Sequence, residues 1–273
     1  MKIGPIDTDQ KVLVIAEVGV NHEGDEAVAA RLVRLAAQAG AGAVKFQTFK
    51  VENYVSDAYG EARVQRLNKF ALSFEAFGRL ARVAKEEGIL FLSTPLDLES
   101  AKFLDTIAPV FKIASGDNNF WPLLAQIAAT GKPTILSCGL ADLDAVGRAK
   151  TFIESEWRRL NITQELALLH CVSSYPVPPD QANLRSICLL RERFGGTIGY
   201  SDHTNGLDAA LMSVALGARI IEKHFTLDKH YSEFRDHQLS ADPAELKHLV
   251  DKVRELESRG SGRAGSPVRS QAA

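Results

Sequence analysis

No stretch of the 273 residues approaches the roughly 18–20 consecutive apolar residues of a membrane span. The N-terminus, MKIGPIDTDQ, carries acidic residues and no apolar core, so it does not read as a secretory signal. Cysteine is scarce: Cys138, Cys171 and Cys188 form an odd set without CxxC spacing. That excludes a disulfide scaffold and a thiolate zinc site, and leaves a reduced, cytoplasmic protein as the expectation, its cysteines serving as small packing residues. Charge of one sign is also missing. A formal net charge of -2 gives no field for nucleic acid or an anionic membrane, so any bound anion must be held by a local cluster. No internal repeat is visible beyond the alternation described next.

What the chain does have is eight apolar runs, each ending in a polar cluster: VIAEVGVNH, AVKFQTF, ILFLSTP, VFKIASGD, TILSCG, LALLHCVSSY, TIGYSDH and RIIEKHF. Continuous apolar runs are typical of strands buried on both faces. Amphipathic stretches separate them, so strand and helix alternate throughout. The order predicts an α/β protein with one (β/α)8 TIM barrel over residues 1–258, opened by a short cap with a turn at Pro5 and Asp7. Residues 259–273, RGSGRAGSPVRSQAA, are rich in Gly, Ser and Arg and read as a disordered tail. Between the second strand and its helix lies an unusually long segment, residues 50–75. It contains EARVQRLNKFAL, which suits an extra helix, and it reads either as a wall of the site or as a solvated excursion.

Active sites of such barrels lie at the C-terminal ends of the strands. Those ends hold Glu17, Lys45, Thr94, Lys112, Ser115, Ser137, His170, Ser201, His203 and His224. His203 and His224 end the seventh and eighth strands, which are neighbours, so two imidazoles can share one divalent ion that polarises a carbonyl. Lys45 and Lys112 need anionic partners if buried. They serve either as Schiff-base nucleophiles or, with the ring of hydroxyls, as a cradle for a multiply anionic substrate. Glu17 is a general base or the structural partner of Lys45. Alternation along the last strand puts Glu222 on the face of His224, where it could orient the metal site.

In this order IAEVGVNHEGD, KFQTF, STPLD, KIASGDNN, LSCGLA, LLHCVSSYP, GYSDHT and IEKHFTLD resemble the N-acetylneuraminate (sialic acid) synthase family over roughly residues 10–250. The resemblance implies a transferase of the EC 2.5.1 type, acting in sialic acid and related carbohydrate biosynthesis. It would condense phosphoenolpyruvate with an amino-sugar aldehyde, N-acetylmannosamine or a relative, giving a nonulosonic acid and phosphate. The implied cofactor is a divalent metal, typically Mn2+, with Mg2+ or Co2+ as alternatives, and the implied assembly is a homodimer. By motif, His203 and His224 match the metal ligands. Lys45, Thr94, Lys112, Ser115, Ser137, Ser173 and Ser201 match positions that hold phosphoenolpyruvate. Glu17, Gln47 and Asp236 match catalytic polar groups, and Asp117, Tyr175 and Asp236 the sugar side.

This chain departs from the family pattern in places. Ser173 and Asp117 stand where some members have Asn and Glu. After the eighth strand SEFRDH replaces PGPDH, which brings Glu233 and Arg235 near the sugar pocket. The family's usual C-terminal antifreeze-like domain has no counterpart in these residues, which makes residues 50–75 a candidate cover for the pocket. The rival readings are the same chemistry on a different aldose, a Schiff-base aldolase using Lys112 or Lys45, and a sugar-binding protein on an inactive barrel.

Overall fold

A computed structural model of the chain describes all residues except 57, 59 and 261–273. Eight parallel strands, β3 (Leu13–Gly19), β4 (Ala43–Thr48), β5 (Leu90–Pro95), β6 (Phe111–Ile113), β7 (Thr134–Ser137), β8 (Leu166–Cys171), β9 (Thr197–Asp202) and β10 (Ile220–His224), form one sheet in the order β5-β4-β3-β10-β9-β8-β7-β6. Its two ends, β5 and β6, lie side by side, so the sheet is a nearly closed barrel. These are the eight runs read from the sequence. The polar tails of several runs fall outside the strands: LALLHC pairs as β8, whereas residues 172–175 form a loop.

Alternation divides each strand between two cores. Val14, Ala16, Val44, Phe46, Phe111, Leu168 and Ile198 face outward and pack against the helices. Leu13, Ile15, Ala43, Leu92, Val110, Ile135, Ala167, Leu169 and Ile220 fill the barrel interior. At about 1.5–3 kcal/mol for each fully buried large aliphatic side chain, these layers supply much of the force that closes the barrel. Gly199 has no side chain because none fits. A Cβ there would lie 2.4 Å from the Ile220 carbonyl oxygen and from Leu169 Cδ2.

The N-terminal cap is a hairpin of β1 (Lys2–Ile3) and β2 (Ile6–Asp7). Its turn is at Gly4–Pro5, and Asp7 belongs to the second strand rather than to the turn as read from sequence. Met1 and Ile3 insert into the interior cluster and plug the N-terminal end of the barrel. The connecting helices start where short polar side chains satisfy the free N–H groups of the first turn. In α1 (Glu26–Gln38) Asp25 accepts from Ala27 and Val28, and in α7 (Leu143–Arg159) Asp142 accepts from Ala145. The last helix begins at Pro243 with a reciprocal cap, Asp242 and Glu245 each accepting from the other's backbone N–H. It runs to Gly260, two residues past the composition change. The remainder of the tail read from sequence, residues 261–273, lies outside the described residues. Among the described residues no helix is long and apolar enough to cross a membrane.

The long segment after β4 is ordered against the barrel mouth as α2 (Val51–Tyr54) and α3 (Glu61–Phe70). Val51, Val55, Phe70, Val64 and Leu67 pack there with Val20, Phe49 and Phe234 in a separate apolar cluster. The described part of the long segment therefore forms a wall of the mouth, with Tyr54, Val55 and Arg63 facing the cavity, rather than a solvated excursion.

Candidate active site

Each interior face ends in polar groups because the apolar layers stop one or two inward positions below the C-terminal rim. In β3 the inward series is Leu13, Ile15, Glu17; in β4 Ala43, Lys45, Gln47; in β10 Ile220, Glu222, His224. The rim surrounds a cavity of about 690 Å³. Glu17, Lys45, Gln47, Thr94, Lys112, Ser115, Asp117, Ser137, Ser173, Tyr175, Ser201, His203 and His224 all line it. Of the sequence-derived residues, Asp236 and the strand-end His170 do not. Asp236 opens the short helix α10 (Asp236–Leu239) beside the mouth, and Arg235 Nε donates to its Oδ1 at 3.3 Å. A larger cavity, about 1100 Å³, lies farther out between α3 and residues 232–235. It holds fewer buried polar groups, and Tyr54 and Arg63 line both spaces, so the outer one is an antechamber to the inner.

Two ammonium groups occupy the floor. Lys45 Nζ donates to Thr94 Oγ1 at 3.1 Å and forms an ion pair with Glu17 Oε2 at 2.8 Å. Lys112 Nζ donates to Ser137 Oγ at 2.7 Å and to the Ile113 carbonyl at 3.1 Å. Between them sits Glu222, whose Oε1 accepts from Ser201 Oγ at 2.9 Å and lies 3.7 Å from Lys45 Nζ and 3.9 Å from Lys112 Nζ. Sequence reading placed Glu222 behind the histidines. The fold instead uses it as the counter-ion of the lysine pair, because those two strand ends meet over β10's inner face.

All four groups are almost fully buried, and burial works against every charge. It pushes Glu17 up to about 7 despite Lys45. It also lowers Lys112, with Glu222 opposing. For Glu222 the burial effect is outweighed by Lys112 and Lys45, which hold its carboxyl below the usual range. In Lys45 burial is likewise overcome, here by Glu17 and Glu222, and its ammonium is held above its ordinary value. Asp117, on the turn after β6, is pushed up to about 6 by burial, with Lys112 opposing. Two ammonium groups and a ring of hydroxyls facing one cavity suit a ligand with several anionic oxygens.

The imidazoles stand on the opposite rim. His203 Nδ1 donates to the Val172 carbonyl at 2.8 Å, which in the neutral ring leaves the lone pair on Nε2, the atom that meets the Tyr175 hydroxyl at 3.2 Å. The His203 and His224 ring centroids are 5.3 Å apart. His224 is buried, and its Nδ1 has no hydrogen-bond partner. Burial, with His203 and Lys45 nearby, keeps His224 well below the usual imidazole range and therefore neutral. Two neutral-capable imidazoles with one unpartnered buried nitrogen fit a divalent ion that leaves its other positions to substrate and water. Among the described residues no group of three or more His, Cys, Asp or Glu is arranged around a metal position, so protein ligation would rest on this pair.

Several cavity residues carried no signal in the sequence. Cys171 was expected to be a packing residue, yet it lines the cavity with its Sγ 3.8 Å from His203 Nδ1 and accepts from Ser115 Oγ at 3.6 Å. Tyr54 and Arg63 come from the wall helices, whose distance from the strand ends in sequence hides them. Arg235, noted as a departure, places its guanidinium 4.9 Å over the Tyr175 ring and so roofs the imidazole side. His170, also at a strand end, faces away and binds the Ala182 carbonyl at 2.8 Å.

Comparison with known proteins adds an independent line. A model described as the NeuB family matches residues 32–263. An uncharacterised protein of Methanocaldococcus jannaschii is 44% identical over 266 residues, spanning 96% of this chain and 77% of that protein. The N,N'-diacetyllegionaminic acid synthase of Campylobacter jejuni is 42% identical over 262 residues, spanning 91% and 77%. A crystal structure of N-acetylneuraminic acid synthetase from Leptospira borgpetersenii, in complex with citrate, superposes with a TM-score of 0.89 at 34% identity. It covers 98% of this chain and 92% of that one.

Proposed function

The chain belongs to the NeuB family, and from that premise we propose that it condenses phosphoenolpyruvate with an N-acylated amino-sugar aldehyde to give a nonulosonic acid and inorganic phosphate. The observation that carries this reading is the floor of the cavity. Two buried lysines and the hydroxyls of Thr94, Ser137 and Ser201 share a single space with a pair of imidazoles. That combination suits a substrate with a phosphate, a carboxylate and a carbonyl partner.

Lys45 and Lys112 neutralise the phosphate and carboxylate, with Thr94, Ser115, Ser137, Ser173 and Ser201 completing the anion's hydrogen bonds. This fixes the enol C3 in line with the aldehyde, which is catalysis by proximity and electrostatics. C3 attacks the aldehyde carbon, the new bond forms, and the aldehyde oxygen takes up a proton. A water then adds at C2, and the tetrahedral carbon expels phosphate as the 2-keto group forms. Glu17, whose carboxyl titrates near neutrality, handles the proton of that water. Gln47, Tyr175, Asp117 and, from the mouth, Asp236 orient the sugar. His203 and His224 would hold a divalent ion, which supplies Lewis-acid polarisation of the aldehyde oxygen when bound.

The test is phosphate release from phosphoenolpyruvate in the presence of Mn2+, with Mg2+ and Co2+ alongside, across a panel including N-acetylmannosamine and diacetylated amino sugars. Release with at least one acylated amino sugar is expected, and loss of it in His203→Ala and His224→Ala. Activity that survives those substitutions with a chelator present overturns the metal role. A borohydride-trapped adduct on Lys112 or Lys45 would instead establish a Schiff-base aldolase. Light scattering checks the expected homodimer.

A further inference from the structure

Behind the two histidines, on the outer side of the barrel, lies a second charged pair that the reaction above does not use. Lys223 and Asp202 are directly opposite in the β9–β10 ladder and point into the layer between strands and helices. Their side chains are 1% and 0% exposed, with Nζ 3.0 Å from Asp202 Oδ2. An isolated ion pair at such a place contributes little net stability, since apolar replacements are often as stable or more so. Its hydrogen bonds show what it acts upon.

Lys223 Nζ also donates to the Thr204 carbonyl. Asp202 Oδ1 accepts from the Thr204 N–H and hydroxyl, both at 2.8 Å, and from the Tyr200 hydroxyl at 3.2 Å. Residues 202 and 204 flank His203, and Lys223 immediately precedes His224. One ammonium therefore ties the backbone on the far side of His203 to the strand that carries His224. The inner side of His203 is held separately, through its ring to Val172 and its carbonyl to the Val177 N–H at 2.9 Å.

We propose that Lys223 and Asp202 are positioning residues that fix His203 relative to His224. The inference rests on the metal reading above for its consequence, but the geometry it concerns exists without metal. Removing Lys223 alone leaves a buried carboxylate uncompensated, and that variant can fail to fold. The informative protein is the double variant D202N/K223M. It removes both charges, keeps an acceptor for Thr204, and breaks the cross-strand tie.

Two measurements test it. In metal-free protein, the ring 15N resonances of His203 are expected to move in the double variant and its Nδ1–H to exchange with water faster, at a melting temperature close to that of the unmodified protein. With Mn2+ alone as probe, read by electron paramagnetic resonance, affinity is expected to fall by about tenfold or more, the usual effect of losing a group that orients a ligand. Unchanged His203 resonances in a folded double variant overturn the positioning role, whatever the metal result. If the unmodified protein binds no Mn2+ while the His203 resonances still respond, the metal reading fails and the positioning role stands. Shifted resonances with unaltered Mn2+ affinity overturn the claim that the pair serves ligation.

Discussion

Glu222→Gln separates the two jobs of the cavity floor, because it should harm the empty protein and help the anion. The substitution keeps an acceptor for Ser201 but removes the negative charge 3.7 Å from Lys45 Nζ and 3.9 Å from Lys112 Nζ. At an effective dielectric of about 20, each of those attractions is worth about 4 kcal/mol before desolvation is subtracted. Lys45 retains Glu17, whereas Lys112 loses its only ionic partner within 4 Å among the described residues. Breaking a buried pair in this way costs about 3–5 kcal/mol. For a chain of this size, with an unfolding entropy of about 2.1 cal/mol/K per residue, that corresponds to a melting temperature lower by about 5–9 °C. The same change leaves the floor with an excess of positive charge, so a phosphate oxyanion should bind more tightly, by about tenfold for each ~1.4 kcal/mol of repulsion removed. Thermal denaturation without phosphate and with graded phosphate reads both effects. The variant should start lower and recover more per unit of ligand, as binding to the native state alone requires. An unchanged melting temperature, or weaker phosphate binding by calorimetry, would refute the assignment of Glu222 as the lysines' counter-ion.

Lys112→Met should raise the KM for phosphoenolpyruvate by about 30-fold, as the loss of about 2 kcal/mol of charge-assisted binding implies, while the KM for the sugar changes far less; steady-state kinetics with each substrate varied checks this. His22 is buried with Nε2 unpartnered, and burial pulls its pKa down to about 4 against the opposing carboxylates of Asp25 and Glu23. Between the unfolded value near 6.5 and 4 the unfolded chain binds more protons, so this contribution is complete above about pH 6.5 and lost as pH falls toward 4. It amounts to about 3 kcal/mol. His22→Gln should therefore flatten the loss of stability between pH 6.5 and 4 in denaturant titrations, and an equally steep loss counts against it. Gly24 has φ +84°, and a Cβ there would sit 2.0 Å from the Lys69 carbonyl oxygen at the end of α3. Gly24→Ala should push the wall helix off the mouth, seen as faster proteolysis within residues 55–70 and a higher KM for the sugar; unchanged cleavage would show that α3 is held elsewhere.

The architecture and most of the cavity lining were legible from the chain alone, for one reason. A strand buried on both faces must be apolar until it reaches the rim, so eight apolar runs with polar ends mark both the barrel and the ring of Lys45, Thr94, Lys112, Ser137, Ser201, His203 and His224. Ordered motifs then identified the family. Local pattern does not report which polar end meets which across the barrel. Glu222 was assigned to the histidines beside it in sequence, but the closure of the sheet brings it between lysines from β4 and β6. The Tyr54 and Arg63 side chains that α2 and α3 bring to the cavity, the Cys171 thiol at His203 and the Lys223–Asp202 tie escaped for the same reason. Each depends on contacts between segments far apart in the chain, and only the tertiary structure brings those segments together.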